Sequence, residues 1–335
     1  MVRRRALARH VCRKTAQDLW TPGCVPVRSL PVLVLHSLLL LGLNADLTSA
    51  KTIVVSPGPS TIQAAMGQAV SGDTVLVGPG TYVLDRSISV PGGVTLKSSD
   101  GPLSTILDAQ YFFRVPSVIN IINASPPPIV EGLTIARGWE MARQWGGGIH
   151  VSQSSPIINN NLIVDNVNAT FEGLGGVGCA IGIFGGSPIV VNNTIVSNHC
   201  SAGAIALLST SATVERNVIA FTSWPDSPSD QGFGVFCEDS PSARVVDNIL
   251  WMNLPADIDT SCASVEGITN NIVLDPQFCA PVTVGGQGLL GDWRVGLSSP
   301  LAPGGPYEGW GATVGICDGT QAIQTTWGRI KATYR

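Results

Sequence analysis

Through the middle of the chain the apolar positions fall in short clusters, with neither a helical period nor a long strand-like alternation. Residues 146–166 read GGGIHVSQSSPIINNNLIVDN and residues 180–198 read AIGIFGGSPIVVNNTIVSN. Each opens on small residues, passes a Ser-Pro corner and enters an Ile/Val stretch. Each then meets paired asparagines, a second Ile/Val stretch and a further asparagine. With the asparagine before the second stretch as marker, the series is Asn161, Asn193, Asn217, Asn248 and Asn271, at gaps of 32, 24, 31 and 23 residues. Gly132 in VEGLTI is one further step upstream. A fixed core with a variable period places insertions in the loops of a repeated unit.

Three residues before each marker the position is always apolar: Ile129, Ile158, Val190, Val214, Val245 and Ile268. Segments this short cannot stand as an isolated sheet, so their backbone groups must bond to the equivalent segment of the next repeat. The pattern predicts an all-β chain, a single-stranded right-handed parallel β-helix (solenoid) with an N-terminal helical cap. Its coils stack about 4.8 Å apart. An asparagine at one place in every coil then bonds through its amide to those above and below, forming a structural ladder. Asn166, Asn198 and Asn253 form a second row, five residues after three of the markers. These asparagines are read as structure, not chemistry.

Both ends of such a stack need covering. In SPGPSTIQAAMGQAVSGDTVLVGPGTYV, Ser60 is placed to cap a helix whose Ile62, Ala65, Met66 and Ala69 make one apolar face, and Val75, Leu76 and Val77 open the first full coil. The repeat occupies residues 51–280, a closing segment 281–318 and a tail 319–335. The entry TIQAAMGQAVSGDTVLVGPGTY, the repeated GGGI…SSPIINNN…N and the closing series LDPQF, GDWRVGLSSPLAPGG and VGICD resemble the bacterial right-handed β-helix proteins of the pectate-lyase-like superfamily. That resemblance covers roughly 52–318 and implies fold and export. It leaves activity open, since that superfamily includes lyases, hydrolases, epimerases, phage tailspikes and surface proteins with no assigned activity. The tripeptides Asn-Thr-Asp, Gly-Asp-Asp, Gly-His-Gly and Asp-Pro-His, and an Arg-x-Pro-x-x-Arg, are absent.

Composition changes the picture at the front. The basic run MVRRRALARHVCRK precedes the apolar LPVLVLHSLLLLGL at 30–43, shorter than the roughly twenty residues of a membrane span. Residues 1–50 are read as a secretion signal cleaved after Ala50. A start at Val27 would make it compact, and an uncleaved anchor is the alternative. Its removal leaves 12 basic against 21 acidic residues, a net charge of −9, which argues against nucleic acid as a partner. Six cysteines remain, and in an exported chain they are expected to pair locally as Cys179–Cys200, Cys237–Cys262 and Cys279–Cys317.

The most function-like stretch is ARGWEMARQWGGG at 136–148, read as one loop bearing Arg137, Trp139, Glu140, Arg143 and Trp145, with Trp224 extending its surface. Indole faces stack on sugar rings and guanidinium forks grip carboxylates, so these residues are the expected glycan-binding set. His150 in a strand and His199 in a loop look isolated. The acids between Asp226 and Asp259, among them Asp230, Glu238, Asp239, Asp247 and Asp257, are read as solvated turns. Arg216 and Asp247 are expected to pair across coils. Two functions stand. One is an exported, monomeric β-helix protein, secreted or at the cell surface or periplasm, that binds polysaccharide or surface glycan without assignable catalysis, cofactor or metal. The other is a polysaccharide lyase or glycoside hydrolase acting on uronate-containing polymers, with Ca²⁺ entering only under that alternative.

Overall fold

The computed structural model describes residues 49–112, 115–140, 146–168, 178–223, 232–282, 289, 291–312 and 314–317. All of the expected export segment except Ser49 and Ala50 lies outside them, as do the tail 319–335, Arg143, Trp145, Trp224, Asp226 and Asp230.

Three parallel sheets form the walls of a solenoid. The first has nine strands, beginning Thr52–Val55, Thr74–Val77 and Thr95–Ser98 and ending at Gly267–Thr269. The second has eight strands, from Gly80–Val83 to Ile272–Val273, and the third has six, from Ile88–Ser89 to Phe233–Glu238. Each strand bonds to its counterparts one coil before and after it; Ile158, for example, lies between Val130 and Val190. The interior is one buried apolar cluster with equivalent residues in successive coils: Ile135, Ile163, Ile195 and Ile219 on the second wall, Ile149, Ile181, Ile205 and Val235 on the third. Each such side chain contributes about 1.5–3 kcal/mol by leaving water.

The corner between first and second sheets explains the paired asparagines. Its first residue takes left-handed backbone at Gly132, Asn160, Asn192, Arg216, Asp247 and Asn270 (φ 71°, 56°, 53°, 53°, 55° and 58°), the region that Gly and Asn enter most readily. The second residue turns inward. Asn161 Nδ2 donates to Asn193 Oδ1 at 3.0 Å and Asn193 Nδ2 to Asn217 Oδ1 at 3.0 Å. The series continues through Asn248 to Asn271, and each amide also reaches a carbonyl of the preceding coil. Upstream the ladder position is held by Leu133, whose N–H donates to Asn161 Oδ1, so Gly132 belongs to the left-handed row and not to the marker row. The second row is likewise interrupted: Asn166 bonds to Asn198, but Thr222 stands between Asn198 and Asn253. Arg216 and Asp247 do stack, through a backbone bond, yet the Arg216 side chain pairs with its neighbour Glu215 at 3.3 Å instead.

At the N-terminal end a helix, Thr61–Met66, buries Ile62, Ala65 and Met66. Ser60 does not cap it. Its hydroxyl donates to Asp85, and its own backbone is left-handed at φ 54°. The sheet also starts one strand earlier than Val75–Val77, because Thr52–Val55 pairs with Thr74–Val77. No helix among the described residues is long and apolar enough to cross a membrane.

Downstream of Val273 the chain folds back along the outer face of the second sheet. Phe278–Ala280 pairs antiparallel with Asp292–Val295, and Phe278, Trp293 and Val295 pack with Leu162, Val164, Val196, Val218 and Ile249 in a second apolar cluster. The Ala312 N–H donates to Thr194 Oγ1. Disulfides join Cys179 to Cys200, Cys237 to Cys262 and Cys279 to Cys317, with Cα separations of 5.1, 4.8 and 6.4 Å.

Candidate functional site

Beyond the second sheet each coil turns through the corner of the second asparagine row and enters a two-residue strand: Trp139–Glu140, Val167–Asn168 and His199–Cys200, hydrogen-bonded side by side. Ser223 continues the stack by bridging to His199. The long gaps of the repeat arise after this stack, because residues 141–145, 169–177 and 224–231 follow Glu140, Asn168 and Ser223. The shortest such coil passes directly from Cys200 to Gly203. The insertions therefore enter at a single flank. Gly148, where the chain resumes its third wall, must be glycine, since a Cβ there would lie 2.5 Å from the Ala180 carbonyl and 3.1 Å from the Asn166 amide.

Register places Arg137, Asp165, Ser197 and Phe221 in one column of this corner, with Trp139, Val167, His199 and Ser223 in the next. The ladder asparagines between them point at interior carbonyls, so the flanking columns lie outside the solenoid's inner apolar cluster, and Phe221 joins the second one. Arg137 donates from Nε to Asp108 Oδ1 at 2.8 Å and makes a second bond to the other carboxylate oxygen. That pairing raises the guanidinium pKa further above its ordinary value. The Trp139 ring is 37% exposed and meets Tyr111 edge-on, with centroids 6.2 Å apart at 86°. Burial is the main cause that pushes the Tyr111 hydroxyl pKa up, with the Asp165 charge next. The hydroxyl has the Asp165 carboxylate as a neighbour but makes no hydrogen bond. Asp165 and His199 are both buried, and His199 Nε2 is 3.6 Å from Asp165 Oδ1.

Several expectations change. Residues 136–148 are not one solvent-facing loop: Ala136 ends a strand, Trp139–Glu140 is another, and Glu140 is buried. Arg137 is already gripped by a carboxylate of its own chain. Of the three expected residues that are described, Trp139 is the exposed one. His199 sits in a strand, buried beside a carboxylate, and is not an isolated loop residue. His150 is a wall residue whose burial lowers its pKa to about 4, so it is neutral at pH 7. In the acidic region, Asp257 accepts from the Asn253 amide at 2.7 Å, and Asp259 accepts from the Ser261 N–H to start the 3₁₀ turn Thr260–Ser264. Among the described residues no three His, Cys, Asp or Glu side chains gather closely enough to hold a metal ion.

Asp108, Tyr111, Asp165 and Ser197 were not expected at the site. The available signal was positional: Asp165 and Ser197 directly precede ladder asparagines in VDN and VSN. A separate cavity of about 280 Å³ lies beneath the closing segment, between Thr194, Phe278, Leu301, Trp310 and Val314. Its walls are largely carbon, and it brings together no acid, base and aromatic set comparable to the flank.

A family model described as "Right handed beta helix region" matches residues 119–219, the coils that carry this corner. The chain folds as a right-handed parallel β-helix. No curated protein sequence matches it. Among solved structures the β-helix is similar to a PL6 family alginate lyase, AlyGC, at 13% identity and a TM-score of 0.38, covering 68% of this chain and 40% of the lyase. A mutant of that lyase matches at 12% identity and a TM-score of 0.32, with the same coverage. The β-helix protein thus spans less than half the length of the enzyme it matches.

Proposed function

We propose that this β-helix protein is exported and binds a polysaccharide or cell-surface glycan along the flank that carries Trp139. The observation that carries the reading is a part-exposed indole braced edge-on by Tyr111, next to a column of polar side chains and at the point where the coils admit insertions. A flat ring held in place offers a sugar face a contact at little entropic cost. Three disulfides suit an oxidising compartment.

Replacing Trp139 by Ala tests this. Retardation of the protein in gels containing polysaccharide should fall at least about tenfold, or about 1.4 kcal/mol, with an unchanged circular dichroism spectrum. Retardation equal to the wild type would contradict the reading. A second reading, cleavage of the bound chain, draws on the Asp165–His199 pair, which resembles an acid–base partnership. Hydrolysis needs two carboxyl groups across the scissile bond, and Asp108 is occupied by Arg137. Elimination from a uronate needs one base and creates an unsaturated sugar, so ultraviolet absorbance during incubation with uronate polymers decides between binding and lyase action.

A further inference from the structure

We propose that the cavity beneath the closing segment is a binding site in its own right, one that takes a compact alkylated ammonium, an organic cation shielded by carbon. The site lies beyond the glycan reading and does not depend on it. The cavity holds about 280 Å³, and Phe278, Leu301, Val314, Ile316, Trp310 and Glu308 are among the residues that line it. A recess that is mostly apolar and carries one charged group has the usual form of a small-molecule site.

Its frame is held firmly. Cys317 is bridged to Cys279, the Ala312 N–H donates to Thr194 Oγ1, and the Gly311 N–H donates to the Arg216 carbonyl at 2.8 Å. Tyr307 packs on Trp310 with ring centroids 5.0 Å apart, so the indole is braced before any ligand arrives. Gly309 and Gly315, which also line the cavity, are exposed and take left-handed backbone at φ 81° and 73°. A Cβ at either would meet nothing within 4 Å. The cavity therefore opens to solvent beside them.

Charge and hydrogen bonding select the ligand. Glu308 Oε2 accepts from the Gly304 N–H at 2.7 Å, which fixes the carboxylate, and no ion pair among the described residues engages it. Arg294 and Arg216 are committed elsewhere, to Asp292 at 2.8 Å and to Glu215 at 3.3 Å. The faces of aromatic rings such as Trp310 and Phe278 attract a cation as well. A primary ammonium would bring three N–H donors, each needing an acceptor. Of the lining acceptors, Thr194 Oγ1 and the Ala312 and Gly315 carbonyls already accept from the N–H groups of Ala312, Val314 and Val295. An alkylated ammonium carries its charge behind methyl groups and leaves no donor unmet against the carbon walls.

Isothermal titration calorimetry of the full chain, with its disulfides intact, tests this with three probes: choline, ethanolamine and the neutral alcohol in which carbon replaces the choline nitrogen. They share a length and differ in the head group. Choline should bind at least about fivefold more tightly than either of the others. Glu308→Gln keeps an oxygen for the Gly304 N–H, and it should weaken choline binding at least about threefold while leaving the neutral alcohol unchanged. Trp310→Leu should weaken choline by a similar factor. Because Glu308 is exposed, its variant decides the matter even where the Trp310 variant does not fold. Choline that gives no saturable heat would overturn the site, as would a Glu308→Gln protein that binds choline like the wild type. Ethanolamine or the neutral alcohol binding as tightly as choline would overturn the assigned ligand class. Retardation by polysaccharide bears on the glycan reading alone, so the two can fail separately.

Discussion

At every corner between the first and second sheets two consecutive residues meet opposite demands. The first must tolerate left-handed backbone and the second must satisfy inward-facing peptide groups. Asparagine serves in both places, which is why it comes in pairs. Asn193 shows what the second position is worth: its amide donates to Ile158 O, Val191 O and Asn217 Oδ1, and its oxygen accepts from both the backbone and the side chain of Asn161. Asn193→Leu keeps the volume and removes every one of these bonds. We expect a loss of at least about 1–3 kcal/mol, read as a fall in Tm of about 2–4 °C per kcal/mol for a chain of this size. A wild-type Tm would show that the ladder does not stabilise the stack. The rows were legible in the sequence because a ladder demands one residue type at one place in each coil. The Arg137–Asp108 and His199–Asp165 pairs were not. Their partners lie 29 and 34 residues apart, and a repeat whose period varies does not reveal which residues share a corner.

At the scale of elements, the second sheet departs from ordinary alternation. Its strands LIV, TIV and VIA are buried at all three positions, as expected of strands packed on both faces. The inner face meets the solenoid core, and the outer face meets Phe278, Trp293 and Val295. The apolar triplets were readable from the sequence, but their cover was not. The Ala312–Thr194 bond spans 118 residues, and nothing local in GDWRVGLSSPLAPGG names its partner. Trp293 is buried, meets Phe278 edge-on at 5.2 Å and lies 6.1 Å from Phe221. Trp293→Ala should cost about 3–5 kcal/mol in denaturant unfolding of the closing segment. Unfolding at the wild-type midpoint would mean that this segment is not held by its apolar face.

On the scale of the whole molecule, a regular wall of stacked coils supports one irregular flank. Ladders and disulfides fix the coils, and the repeat's extra residues follow Glu140, Asn168 and Ser223 in the sequence. Such a division suits a protein whose function lies in side chains projecting from a rigid scaffold. A crystal structure of the protein with a bound oligosaccharide tests the central claim most directly. Sugar should lie against the exposed Trp139 ring. Sugar bound instead in the cavity beneath the closing segment, with Trp139 untouched, would contradict it.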